Sequence, residues 1–306
     1  MKKRFVILLG LILASTVTSC SLFDNQSTPK GYVRHCVRLL DASALYADTP
    51  EWSAKKSEIL AATKSLSSMD DAHAAVDEAA RVAGGKHSSL REPVKDTTSY
   101  QEVAPEVVVL DDNILHIVLP AHMGVKVSDS DYVHTVLDFL QEHSDAKGVV
   151  LDLRGNTGGN MYPMIASISP LLPDGTVLRF KSRKRTVPVF LEAVVQSQGL
   201  TTGGIEKLPS STPVALLTDD MTASSGEATL LCFRGLDYAR SFGAPTAGYA
   251  SANTPYELAD GYSLVITQSC DMARTGEVFC DDPIEADVKT DTPLEDAIAW
   301  IVSSAR

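Results

Sequence analysis

The chain has 306 residues, with 27 Lys and Arg against 39 Asp and Glu, a formal net charge of −12. Apolar residues make up 44% and charged residues 22%, which excludes a disordered tail, a collagen-like repeat and a polytopic membrane protein. The acidic excess also argues against a nucleic-acid partner, because a surface that tracks phosphates needs basic residues.

The first residues stand apart from the rest. Met1-Lys2-Lys3-Arg4 is a positive start, residues 5–14 are apolar, and residues 15–19 are small or β-branched. Residues 1–19 therefore read as a secretory signal peptide, too short in its apolar part for a good membrane span. Val17-Thr18-Ser19-Cys20 resembles the lipobox of bacterial lipoproteins. That resemblance implies that Cys20 is lipidated and becomes the new N-terminus, with residues 20–30 as a polar tether. The domain would then sit in the cell envelope, on the extracytoplasmic side of the membrane that holds its lipid. The alternative is an ordinary signal peptide with an incidental Cys. Removing the three basic residues of the leader takes the net charge from −12 to −15. Export permits oxidation. Cys270 and Cys280 enclose a polar stretch whose Thr275-Gly276 reads as a hairpin turn, so the two arms can be bridged. No Cys pair has zinc-site spacing, and neither a metal nor a cofactor is assigned.

Residues 31–83 carry three runs of apolar residues at helical spacing, among them Val33, Val37 and Leu40, then Ile59, Ala62 and Leu66, then Ala75, Ala79 and Val82. Pro50 suits a first helical turn, Asp70 a cap, and Gly84-Gly85 a stop. Residues 31–85 thus form a small helical lobe, and residues 86–306 a second unit. In that unit residues 107–110 and 114–119 predict a hairpin around Asp111-Asp112-Asn113. Residues 132–143 predict a helix and 148–153 a buried strand. Residues 162–172 read as helix, and 177–180 and 187–190 as strands. An apolar strand over 213–218 precedes a helix over 226–236. Residues 262–267 form a strand and 294–302 a closing helix. Alternation of this kind means an α/β core.

Three segments carry candidate chemistry. A strand ends in Asp152-Leu153-Arg154-Gly155-Asn156-Thr157-Gly158-Gly159-Asn160. Adjacent glycines let backbone amides converge on a ligand, as an oxyanion hole requires; a tight β–α turn is the plainer reading. Thr222-Ala223-Ser224-Ser225-Gly226-Glu227 stands between a strand and a helix. Small neighbours would expose a nucleophilic hydroxyl there, or a Ser would simply cap the helix with Glu227. Finally, His87 in Gly84-Gly85-Lys86-His87-Ser88-Ser89 is either a general base or a bland surface residue.

Taken together, these segments resemble the family of C-terminal processing (tail-specific) serine peptidases. Gly243-Ala244-Pro245-Thr246-Ala247-Gly248 and the tail around Pro283-Ile284-Glu285-Ala286-Asp287-Val288 fall in that family's order, so the resemblance covers about residues 84–304. It implies a ClpP/crotonase-like core and a peptide substrate. Two departures point to a branch. The position of the family's catalytic Lys is held by Tyr249, and only about sixty residues separate His87 from Gly148, too few for a PDZ insert. The pattern looks most like the nisin resistance protein subgroup, membrane-tethered peptidases that clip a cationic lantibiotic near its C-terminal end. The resemblance implies Ser224 as nucleophile and His87 as base, with Gly158, Gly159 and the Ser225 amide as oxyanion hole. Asn160, Met161 and Tyr249 would line the peptide groove, facing residues 31–83 across it. Ser88, Glu227, Asp271 and Glu285 are candidates for orienting His87. The other six histidines have no motif context and are expected to be structural or surface residues. The rival from another class is a non-catalytic peptide-binding lipoprotein on the same fold.

Overall fold

The computed structural model describes residues 25–94 and 101–304. The leader and Cys20 lie outside the described residues.

Three helices come first: α1 (Pro29–Ser43), α2 (Pro50–Ala62) and α3 (Met69–Gly84). Each starts on a hydroxyl cap, Thr28, Thr49 or Ser68, whose oxygen accepts an otherwise orphaned amide. Strand β1 (Ser89–Arg91) follows, then β2 (Glu106–Leu110) and β3 (Ile114–Val118), which form the expected hairpin. Next come α4 (Asp129–Glu142), β4 (Gly148–Asp152), α5 (Met161–Ser167), β5 (Thr176–Ser182), β6 (Thr186–Phe190) and α6 (Leu191–Ser197). The chain ends with β7 (Val214–Thr218), α7 (Ser225–Leu231), β8 (Ala239–Gly243), β9 (Ser251–Glu257), β10 (Ser263–Met272), β11 (Val278–Phe279), β12 (Val288–Lys289) and α8 (Pro293–Ser304).

One sheet has the order β12-β8-β7-β4-β3-β2, parallel from β12 through to β3 with β2 antiparallel at the edge. All five residues of β4 and of β7 are buried, because this sheet is covered on both faces. Val149 and Leu151 point into the main core with α4, α5, α6 and α7, whereas Val150 points to the opposite face against Ile301 of α8. The second sheet is antiparallel and built around the long β10, which pairs with β9 along one edge and with β1 and then β5 along the other. The β5–β6 hairpin extends it. Leu258, Leu264 and Ile266, at and between the ends of β9 and β10, share a core with α1, α2 and α3. The helical lobe therefore has no separate interior.

Two helices are shorter than the sequence pattern predicts. Residues 162–172 break at Ile168, where Pro170 cannot supply a helical amide and a 3-10 turn takes over. The helix expected over 226–236 leaves α-geometry after Leu231 and ends before Gly235, whose φ is +82°. The Cys270–Cys280 disulfide is formed, across the β10–β11 hairpin.

Candidate active site

Two loops leave the carboxyl ends of adjacent parallel strands, β4 and β7, and meet. Asn156 joins them. Its buried side chain donates to the Leu119 carbonyl at 2.8 Å and accepts the Gly158 amide at 2.9 Å, while its carbonyl accepts the Ala223 amide at 2.8 Å. Gly158 and Gly159 have φ of +100° and +123°. A Cβ on Gly158 would lie 2.7 Å from the Ser224 Cβ, and one on Gly159 would lie 2.0 Å from the His122 carbonyl oxygen. Both positions thus demand glycine, for conformation and for space.

Ser224 is the N-cap of α7, at φ +55° and ψ −116°. An L-residue in that region is strained by about 1–3 kcal/mol and persists only when its surroundings hold it. Glu227 does the holding. Its carboxylate is fully buried and accepts the Ser224 amide at 2.9 Å, the Tyr249 amide at 2.7 Å, the Gly248 amide at 2.9 Å and the Thr246 hydroxyl at 2.5 Å. Burial nonetheless pushes its pKa up, against the pull of those donors. Glu227 thereby ties the turn at Ser224 to the loop after β8. The Ser225 hydroxyl donates to the Gly159 carbonyl at 2.6 Å and clasps the two loops together.

Among the described residues, the amides of Ser225 and Gly159 have no acceptor. The Gly158 amide differs from the sequence expectation, since Asn156 Oδ1 already takes it. His122, which has no motif context, proves central to this loop. Its backbone bridges Gly158 and Asn160, and its fully buried ring lies between Glu102 and Asp129, at 3.3 Å and 2.8 Å.

His87 stands between α3 and β1. Its Nδ1 is 2.9 Å from the Ser251 hydroxyl. Burial first, then the charges of Arg91 and Lys86, lower its pKa to about 4. None of the four expected orienting residues fills that role. Ser88 is bonded to Thr267, Glu227 to the loops, Glu285 to Lys289, and Asp271 lies near Glu227 instead. Ser251 carried no signal in the sequence, because a Ser opening an unrecognised edge strand has no motif around it. Tyr249 also moves from its expected place. Its ring stands edge-on to His87 at 5.1 Å, with the Lys86 ammonium 4.4 Å above it, and it does not line the groove.

The groove itself has a volume of about 920 Å³. Ser224, Ser225, Gly159, Asn160 and Met161 line it at one side, and Ala42 and Ser43 at the end of α1 contribute from the helical lobe. Among the described residues no cluster of His, Cys, Asp and Glu could hold a metal ion.

Residues 113–290 match the model of peptidase family S41. The chain is 33% identical over 284 residues to the nisin-resistance protein of Lactococcus lactis subsp. lactis, covering 91% of this chain and 89% of that one. A solved lipoprotein from Streptococcus agalactiae superposes with a TM-score of 0.80 at 30% identity, over 90% of this chain and 96% of that one. The photosystem II D1 C-terminal processing protease shares the fold at a TM-score of 0.59 and 12% identity, over 86% and 93%. The chain belongs to peptidase family S41, with the α/β architecture of the C-terminal processing proteases.

Proposed function

We propose that this protein is a membrane-anchored serine endopeptidase that cleaves short unstructured peptides near their C-terminus. The observation that carries the reading is the strained Ser224, held beside two acceptor-free amides at the wall of a groove. In this reading the Ser224 Oγ attacks the scissile carbonyl. The amides of Ser225 and Gly159 receive the developing oxyanion. His87 takes the Ser224 proton through Nε2 and returns it to the leaving amine, in the tautomer whose Nδ1–H donates to the Ser251 hydroxyl. The pKa of His87, lowered to about 4, keeps the ring neutral at neutral pH, the form that can accept a proton. Water then hydrolyses the acyl-enzyme by the same proton relay.

Tyr249 backs His87 edge-on and supports its ring rather than taking the proton. The groove admits an extended chain but not a folded domain, whose backbone is already hydrogen-bonded. Lantibiotic-type peptides are proposed as substrates, supported by the name of the Lactococcus lactis relative. Anchoring through a lipidated Cys20, on the extracytoplasmic side of the cell envelope, is proposed from the lipobox-like segment. Among the described residues no helix is long and apolar enough to cross a membrane.

The test is mass spectrometry of a lantibiotic-type peptide and of neutral unstructured peptides incubated with the full chain. Ser224→Ala and His87→Ala should each lower kcat by at least about 10³-fold with unchanged Tm, whereas Tyr249→Phe should keep substantial activity. Peptide binding without Ser224-dependent cleavage would favour the non-catalytic binding protein instead.

A further inference from the structure

The groove beside Ser224 carries the opposite charge to the molecule as a whole. The chain has a net charge of −12. Yet among the described residues its groove is lined by only one carboxyl group, that of Asp271, against three cations, Arg183, Lys184 and Arg185. Asp271 is 2% exposed, and burial together with the nearby Glu227 raises its pKa to about 8, so it adds little negative charge at neutral pH.

The three cations sit at the turn of the β5–β6 hairpin and differ in their partners. Arg183 reaches the helical lobe. Its guanidinium pairs with Asp48 at 2.5 Å and donates to the carbonyls of Asp41 and Ala42 at 3.3 and 3.1 Å. It is neutralised there, and it fastens the hairpin to the end of α1. Lys184 and Arg185 are exposed, and among the described residues no carboxylate pairs with either ammonium or guanidinium. Their backbones are nonetheless fixed, since both amides donate to the Ser182 hydroxyl at 3.3 and 3.2 Å. Two unpaired cations are thus held on a stiff turn, along a groove whose floor includes Phe180 and Val187.

We propose that Lys184 and Arg185 form a carboxylate-binding subsite that selects peptides with an anionic group in the segment lying along the β5–β6 hairpin. The anionic group is either a free C-terminal carboxylate or an Asp or Glu side chain. The proposal rests on the peptidase reading and names a substrate class for it. The overall acidic field repels an anionic group, and the local cations attract it, so a peptide is oriented as it enters. A cationic peptide with a free C-terminus satisfies both fields.

The test uses one neutral, unstructured fluorogenic peptide in three forms: free C-terminal acid, C-terminal amide, and amide with one internal Glu. Turnover is measured with the full chain and with Lys184→Gln/Arg185→Gln. Binding of the same peptides is measured with Ser224→Ala, alone and combined with that double variant. The wild type should favour one or both anionic forms over the plain amide by about five-fold, in KM and not in kcat, with the preference shrinking at high salt. Whether the free acid or the Glu form is favoured identifies the carboxylate. The double variant should lose the preference and cleave the plain amide within two-fold of wild type. A preference that is absent, or that survives in the double variant, overturns the proposal while leaving the peptidase reading intact. If no peptide is cleaved the peptidase reading fails, and the binding of the three forms to Ser224→Ala decides the subsite by the same criterion.

Discussion

Ser224 and Ser225 are adjacent, and their surroundings separate them. Ser224 occupies a strained conformation beside the groove, while the Ser225 hydroxyl is committed to the Gly159 carbonyl at 2.6 Å. Ser225→Ala should therefore weaken activity by loosening the loop contact, without abolishing it, as steady-state kinetics on the purified variant would show. His87 offers a pH signature. Because its pKa is lowered to about 4, the acid limb of kcat/KM should fall near pH 4 and not near 6.5. The same shift means that the folded protein resists protonation of His87, so this contribution to stability is whole above about pH 6.5 and is lost as pH falls toward 4. Asp271 behaves in the opposite sense. Its pKa is raised to about 8 by burial, so its native protonated form costs stability as pH rises from the ordinary carboxylate range to 8. The Tm of Asp271→Asn relative to wild type should accordingly climb between pH 4 and 8 and level off above. A difference that is flat with pH would contradict this environment for Asp271.

At the scale of elements, Glu227 and the disulfide are the two fasteners. Glu227→Ala would leave four donors, the Ser224, Gly248 and Tyr249 amides and the Thr246 hydroxyl, without their buried acceptor, and should cost about 3 kcal/mol in chemical denaturation. The Cys270–Cys280 bridge closes a separation of 10 residues and anchors the loop after the hairpin, where Asp281 accepts the Tyr46 hydroxyl from the helical lobe at 3.2 Å. Replacing both Cys with Ser should lower the unfolding free energy by about 2–3 kcal/mol. Much of this level was legible in the residues. β4 and β7 are apolar runs that only a sheet covered on both faces accommodates, and the glycines after β4 announced a close backbone approach. The edge strand β9 was not legible. Ser251-Ala252-Asn253-Thr254-Pro255 shows no apolar alternation, because the groove lies along it and no core lies beneath most of it. With β9 unrecognised, Ser251 had no context, and the partner of His87 was sought at the adjacent Ser88 and among the carboxylates Glu227, Asp271 and Glu285. The Gly158 amide was misjudged for a related reason. The side chain that takes it, Asn156, is only two residues away, and nothing in the spacing says whether Asn156 faces the loop or the solvent.

For the whole molecule, the helical lobe and the antiparallel sheet stand or fall together. Leu264 and Ile266 of β10 are buried under α1 and α3, so deleting residues 31–83 would expose that core and unfold the sheet. Arg183→Ala is the cleaner probe of the lobe. It releases the hairpin from α1 and should raise KM for peptides by several-fold with little change in Tm. Cys20→Ala should release the protein from membranes and remove the lipid adduct seen by intact-mass measurement; an unchanged membrane fraction would refute lipid anchoring. The central claim is that Ser224, and no other residue, is the nucleophile. It is tested most directly by labelling the full chain with a fluorophosphonate and mapping the adduct by tandem mass spectrometry. A single adduct on Ser224, retained in Ser225→Ala and lost in Ser224→Ala, is the expected result; an adduct on Ser225, or no adduct on the folded protein, would contradict it.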